Sequence, residues 1–518
     1  MANTIKQKRG TTDPGASDLV VGELAINTTD GGVFTKTDGG TVVEVGGSGG
    51  ASEINDLSDA VTRSSGSSIG LGTGALDAET GSSQENIALG KNALTSATSG
   101  VRNLAIGVQA LMSTTTAYDH IAIGNSALQN QTGGFENVAI GRNALISSTS
   151  GYMNVAIALG AVDSLTTGNN NIGIGTTALG SLTTGTFNTA IGVRALGQGL
   201  TTSSYNVGFG ANAGRYVSGA KNVAVGYNAL SANGNSAGSN VAIGYEAFKA
   251  NTSGSANTAI GDRAGQATTT GGSNTFIGQT AGYANTTGTS NTFLGRDCGT
   301  YNTTGSYNTC IGQGAGQTNG IGSTTFVGAN AGKNSSSTNS VAVGMSAGKN
   351  VDGTENVFIG WNAAEGASSA SATLNVGIGA QSLYVISSGA SNVSVGHDSL
   401  KALTTGSNNV AIGDQAGDSL TTGANCIVIG HEADASSATV SNEITLGDSN
   451  ITKLRVPGLS VVAQAESFAI GGAIYENAQS ISADYSITSG NNAMSAGPIT
   501  IDSGVTVTVT SGCTWTVV

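Results

Sequence analysis

A single phrase recurs from Ser68 to Gly447 and leaves the chain few folds to choose from. Residues 137–141, 240–244 and 409–413 all read Asn-Val-Ala-Ile-Gly. The closing position of each copy falls at 72, 90, 107, 124, 141, 158, 175, 192, 210, 226, 244, 261, 278, 295, 312, 328, 344, 360, 379, 396, 413, 430 and 447. These are 23 copies about 17 residues apart, closed by Gly everywhere except Ala158. A short unit repeated at a fixed period cannot bury an apolar face alone and must stack on its neighbours. The array is therefore a solenoid.

Counting from the closing Gly as zero, position −1 is aliphatic or Phe and position −3 is Val, Ile, Leu or Thr. Position −2 is mostly Ala or Gly, with Phe at 276, 293, 326 and 358. Alternation with a period of two predicts a short strand. On this alternation the flanking columns are expected to point into the coil and the middle column to face away. Position +3 is small (Ala144, Ala264, Cys298, Ser399), as an interior corner requires. Position +1 accepts any residue and reads as solvent. Position −4 is Asn in 17 of the 23 copies, which predicts stacked amides between rungs. Two strands and two turns are expected per rung, with Ser/Thr/Gly filling the turns. Early rungs carry Ala-Leu at +3 and +4, as at 93–94 and 127–128, whereas rungs from Gly261 to Gly348 carry Ala-Gly. Because Phe enters position −2 over much the same stretch, apolar volume is expected to move from one face to the other. The 19-residue interval from Gly360 to Gly379 predicts a bulged turn near Glu365 to Thr373.

A 17-residue coil encloses little volume, so a lone chain has a thin core. An outward apolar column would leave an exposed stripe, the mark of an interface. Association of several chains about a long axis resolves both problems.

Gly makes up 81 of 518 residues, and only 10% are charged. Low charge and few aromatics suggest disorder, but strict periodicity overrides that. The net charge is −13, or −39 for three copies. The lack of a basic face to neutralise phosphates argues against nucleic acid as a partner. Cys298, Cys310, Cys426 and Cys513 show no metal-ligand spacing. Residues 1–10 lack the apolar segment of a secretory signal, and no apolar run is long enough for a membrane helix, so membrane insertion is not expected.

Outside the array, residues 1–47 alternate short β-type runs with Asp-Gly-Gly turns at 30–32 and 38–40, which fits hairpins. Lys6–Thr12, Gly22–Asn27 and Val33–Lys36 resemble the N-terminal region of bacteriophage tail-fibre and related virion proteins, particularly those of marine cyanobacterial phages. In such proteins this end attaches to the particle. Residues 48–67 read as a Gly/Ser-rich linker with a short helical turn, 68–450 as the shaft, and 451–518 as a β-rich tip. The rungs are also similar to the head repeats of trimeric autotransporter adhesins, which implies a trimeric β-roll. The passage Asn442–Gly458 resembles the junction that leads into a self-cleaving chaperone in phage fibres, but the 60 residues after it do not resemble that chaperone. They are similar instead to a short terminal module of marine phage structural proteins, through Gly472–Ala478, Asn492–Ile501 and Val505–Val509.

Catalytic readings fare poorly. His120, His397 and His431 are far apart in sequence, and the acidic residues are scattered rather than paired across a groove as a glycosidase needs. No phosphate loop and no calcium repeat is present. Thr pairs sit before turn glycines, not in the flat rows that bind ice. No catalytic residue, cofactor or metal is expected. Candidate surface contacts are the outward aromatics Tyr227, Tyr245 and Trp361, with Tyr475 and Trp515 in the tip, for a host-surface glycan or protein. The expectation is an all-β, homotrimeric β-solenoid fibre without enzymatic activity. It would be bound to other virion proteins at its N-terminal end, made without a signal peptide and carried on a tail or capsid. The alternatives are a cell-surface adhesin of the trimeric autotransporter kind and a capsid-mounted fibre without direct receptor binding.

Overall fold

The computed structural model describes residues 7–10, 17, 24–27, 33–36, 42–44, 60–62, 67–80, 84–318, 320–451, 480–495 and 497–517. Contacts divide the chain into two units, Met1–Ile451 and Thr452–Val518. Every regular element among the described residues is a strand.

The first unit opens with β1 (Gln7–Gly10), β2 (Leu24–Asn27), β3 (Val33–Lys36) and β4 (Val42–Glu44). β2, β3 and β4 form the expected antiparallel hairpins, and Phe34 packs on Ala25 in a small core. β1 instead pairs with β2 in parallel. Part of the predicted linker is structured, because β5 (Ala60–Thr62) lies antiparallel on β6 (Ile69–Leu71) and caps the first rung. Apart from Ser67, the rest of that linker lies outside the described residues.

From β6 to β28 (Ile444–Leu446) the chain forms 23 three-residue strands in one parallel sheet, one strand per repeat. Register is kept residue for residue: Val138 faces Val155, Ala139 faces Ala156 and Ile140 faces Ile157. The 19-residue interval leaves it untouched, since Val357 faces Val376 and the extra residues are absorbed in the turn beside the Val351–Ala370 bridge. The array is a β-solenoid.

Each rung holds one regular strand rather than two. After the closing Gly the chain runs through turns tied rung to rung by backbone hydrogen bonds, as from Leu94 N–H to the Ala110 carbonyl (3.0 Å). Positions +2 and +4 are left-handed, with φ of +58° at Asn92 and +50° at Leu94, which no β-strand can accommodate. The closing glycines from Gly72 to Gly430 have φ between +124° and +144°, and a Cβ on Gly107 would lie 2.5 Å from the Gly124 carbonyl oxygen. Both facts demand Gly there.

The interior is the reverse of the expected one. Position −2 is buried in every rung up to Val428, as at Ala88, Ala139, Phe276 and Val428, while positions −3 and −1 face outward. Position −4 shares the parity of −2, so the buried Asn column carries the Ala column inward with it. Ala at +3 and Leu at +4 complete the core, the left-handed +4 residue letting two neighbours both point inward. Phe at −2 therefore does not move volume to another face. A Cβ on Gly282 would lie 2.7 Å from the ring of Phe276 in its own rung, so Phe-with-Gly replaces Ala-with-Leu inside one core.

The second unit contains β29 (Ser480–Ile481), β30 (Tyr485–Ile487), β31 (Ala493–Ser495), β32 (Thr500–Ile501), β33 (Val507–Val509) and β34 (Trp515–Val517). They pair in parallel as β29–β32, β30–β33 and β31–β34, two successive coils of three strands each. Ile487 is buried, but most of the other described side chains are exposed or half-exposed.

Candidate functional site

The surface with most to bury is the outer face of the sheet. Its −1 column runs as an unbroken apolar row, including Ile140, Ile243, Leu294, Ile378 and Ile412, and Val, Ile and Leu dominate the −3 column beside it. Many of these side chains are more than a third exposed, Ile412 at 42%. At a strand spacing of about 4.8 Å, 23 strands give a face roughly 105 Å long and about 10 Å wide, or about 1,000 Å². Apolar patches on monomeric proteins usually stop at about 300–600 Å².

Behind this face the Asn column fixes rung to rung. Asn103 N–H donates to Asn86 Oδ1 (2.9 Å), and Asn103 Nδ2 donates both to that oxygen (3.1 Å) and to the Ala117 carbonyl (2.9 Å). The pattern repeats along the stack, for instance from Asn154 to Asn137 and from Asn409 to Asn392. At the first rung Ser68 and Glu79 take over, accepting from the Asn86 backbone N–H (3.1 Å) and Nδ2 (3.1 Å). Buried polar groups must be satisfied, and this column satisfies them by stacking.

His120 occupies one Asn position. Its backbone N–H donates to Asn103 Oδ1 (3.1 Å) and its Nδ1 accepts the Asn137 N–H (3.1 Å). The ring proton then sits on Nε2, which is buried with no partner among the described residues. Burial pushes this imidazole down to about 4, against an upward pull from Asp119.

The candidate aromatics are not gathered into one site. Tyr227 and Tyr245, one rung apart at position +1, stack with ring centres 5.7 Å apart, and the Arg263 guanidinium lies 5.8 Å from the Tyr245 ring centre. Tyr245 thus spends its π-surface on rungs to either side, which counts against stacking on a sugar. Trp361 is about half exposed and seven rungs further along. Trp515 belongs to the second unit, where its Nε1 donates to Ser495 Oγ (2.8 Å). Tyr475 lies outside the described residues.

Two further aromatic stacks escaped the sequence reading. Tyr118, Phe135 and Tyr152 stack at 5.3 and 4.8 Å, and Phe187 with Tyr205 at 5.4 Å. Their recurrence at 17 or 18 residues was the available signal, because rings one rung apart in one column must lie face to face.

Charged groups pair along the same columns. Arg102 Nε donates to Asp119 (2.6 Å) and holds that carboxyl below its usual range, and Lys349 reaches Glu365 (2.7 Å). Asp414 lies between the two histidines of its column, 3.0 Å from His397 Nδ1 and 3.6 Å from His431 Nε2. Among the described residues no group of three or more His, Cys, Asp and Glu side chains is placed to hold a metal ion. Cys298, Cys310 and Cys426 are buried free thiols, and Cys513 is half-buried and free. Protein-family models and curated proteins were both compared with this chain, and neither comparison gives a match.

Proposed function

We propose that this chain is the subunit of a non-enzymatic structural fibre, in which three copies pack their outer sheet faces against one another. The observation that carries the reading is the apolar outer face, unbroken along −1 and aliphatic along most of −3. Its area of about 1,000 Å² per chain is close to the roughly 800 Å² per partner of a stable interface. Its apolar row repeats at every rung, so the surface that covers its length must repeat at the same spacing. A second copy of this chain has that spacing. Three copies would bury the face around an axis and leave the turns and the +1 column outside.

The resemblance of Lys6–Thr12, Gly22–Asn27 and Val33–Lys36 to phage virion proteins supports attachment to a particle through the N-terminal strands. On this reading the stack sets distance from the particle, and three identical chains add avidity for a host surface. An antibody against residues 84–318, applied to purified particles of a phage encoding the chain, is expected to label projecting fibres. Absence of the chain from purified particles, by labelling and by mass spectrometry, would contradict the assignment. The autotransporter-like alternative predicts labelling of the cell surface instead.

A further inference from the structure

The outer face carries one long interruption and one short one. Its −1 column is apolar in all 23 rungs and so holds no axial information. The −3 column is aliphatic in 17 rungs and Thr in six. Five of the six are consecutive, Thr258, Thr275, Thr292, Thr309 and Thr325, and the sixth is Thr189. Thr292 is exposed and the other four of the block half-exposed, and their hydroxyls make no hydrogen bond among the described residues.

We infer that this Thr block is an axial key that sets the register and direction in which copies of the chain associate; the inference rests on the self-association proposed above. A stack of near-identical rungs can slide on its partner by one rung with little loss of apolar contact. The Thr block removes that freedom. With the copies level and the −3 column of each nearest the common axis, hydroxyls meet hydroxyls, and each can donate and accept. A slip of one rung sets a hydroxyl at each end of the block against an aliphatic side chain. Each hydroxyl buried without a partner disfavours the slipped state by roughly tenfold or more.

The position of the block also selects direction. It occupies rungs 12 to 16 of 23, off the centre of the stack. Parallel copies align it with all 23 rungs in contact. Antiparallel copies align it only by leaving four rungs of each chain unpaired, and they then set Thr189 in rung 8 against Val393 in rung 20. Parallel copies bring Thr189 to Thr189. A polar residue that specifies register within an apolar seam is a known device of coiled coils, and here it would act across sheets.

The test uses the full chain with Cys513→Ser and two added cysteines on the −3 column, Val376→Cys and Val410→Cys, two rungs apart. After mild oxidation, peptide mapping separates like crosslinks (376 to 376, 410 to 410) from unlike ones (376 to 410). The parent is expected to give like crosslinks, with unlike ones below about a tenth of the total. Replacing all six Thr by Val should raise the unlike fraction at least about fivefold with the oligomeric mass unchanged, while Thr→Ser at the same positions should keep the parent pattern. Unlike crosslinks already abundant in the parent, or a pattern the Val replacements do not alter, would overturn the key while leaving self-association intact. A parent that sediments as a monomer would overturn self-association and the key with it.

Discussion

At the scale of single residues, the repeat is a set of backbone demands that happen to be written in side chains. The closing glycine is required because its φ near +135° and the next rung's carbonyl leave no room for a Cβ. Ala158 is the exception, held at φ +114°. Ala158→Gly should stabilise its rung by about 1 kcal/mol, read as slower hydrogen exchange in residues 141–175. Gly107→Ala should destabilise its neighbourhood by about 3 kcal/mol. His120 makes a prediction in pH. Its folded-state value near 4 lies below the ordinary 6.5, so the unfolded chain takes up the proton first. Stability is therefore level above pH 6.5, falls as pH drops from 6.5 towards 4, and levels off again below. The total loss is about 3 kcal/mol. His120→Asn should restore the amide column and remove this step, seen as a flatter profile of thermal midpoint against pH. A variant as acid-sensitive as the parent over that window would contradict the assignment.

At the scale of the rung, alternation made the strand legible, and the Asn column made the stacking legible. Alternation does not say which face is inside. That was decided by volume and parity: an interior already holding Ala at +3 and Leu at +4 has no space for two rows of Val and Ile, and buried Asn must share its face with position −2. The missing second strand was hidden for another reason, since Leu94 or Asn92 in a left-handed conformation leaves no mark in composition. The exchange of Ala-with-Leu for Phe-with-Gly gives a direct test of the corrected core. Phe276→Ala should cost about 3–5 kcal/mol through the cavity it leaves beside Phe248 and Phe293. Adding Gly282→Leu should recover most of that loss, because Leu occupies the same left-handed position in other rungs. Loss of stability in the double variant equal to the sum of the singles would mean that the two positions do not share one interior.

At the scale of the whole molecule, the solenoid could be read from the period alone, whereas the composition of its outer surface could not be read until the faces were assigned. An exposed apolar stripe exists, but it consists mainly of Val, Ile and Leu at −3 and −1 rather than of the Ala and Phe expected at −2, which are buried. The candidate aromatics were found by their exposure in column +1, yet stacking between rungs, which a linear reading passes over, leaves Tyr227 and Tyr245 bound to each other. A trimeric fibre depends most directly on what covers the outer face. Sedimentation of the full chain at micromolar concentration measures it without a ligand or host. A mass near three times 50.6 kDa is the expected result, with the −3 and −1 columns protected from solvent. A monodisperse species of 50.6 kDa with that face exposed would contradict it.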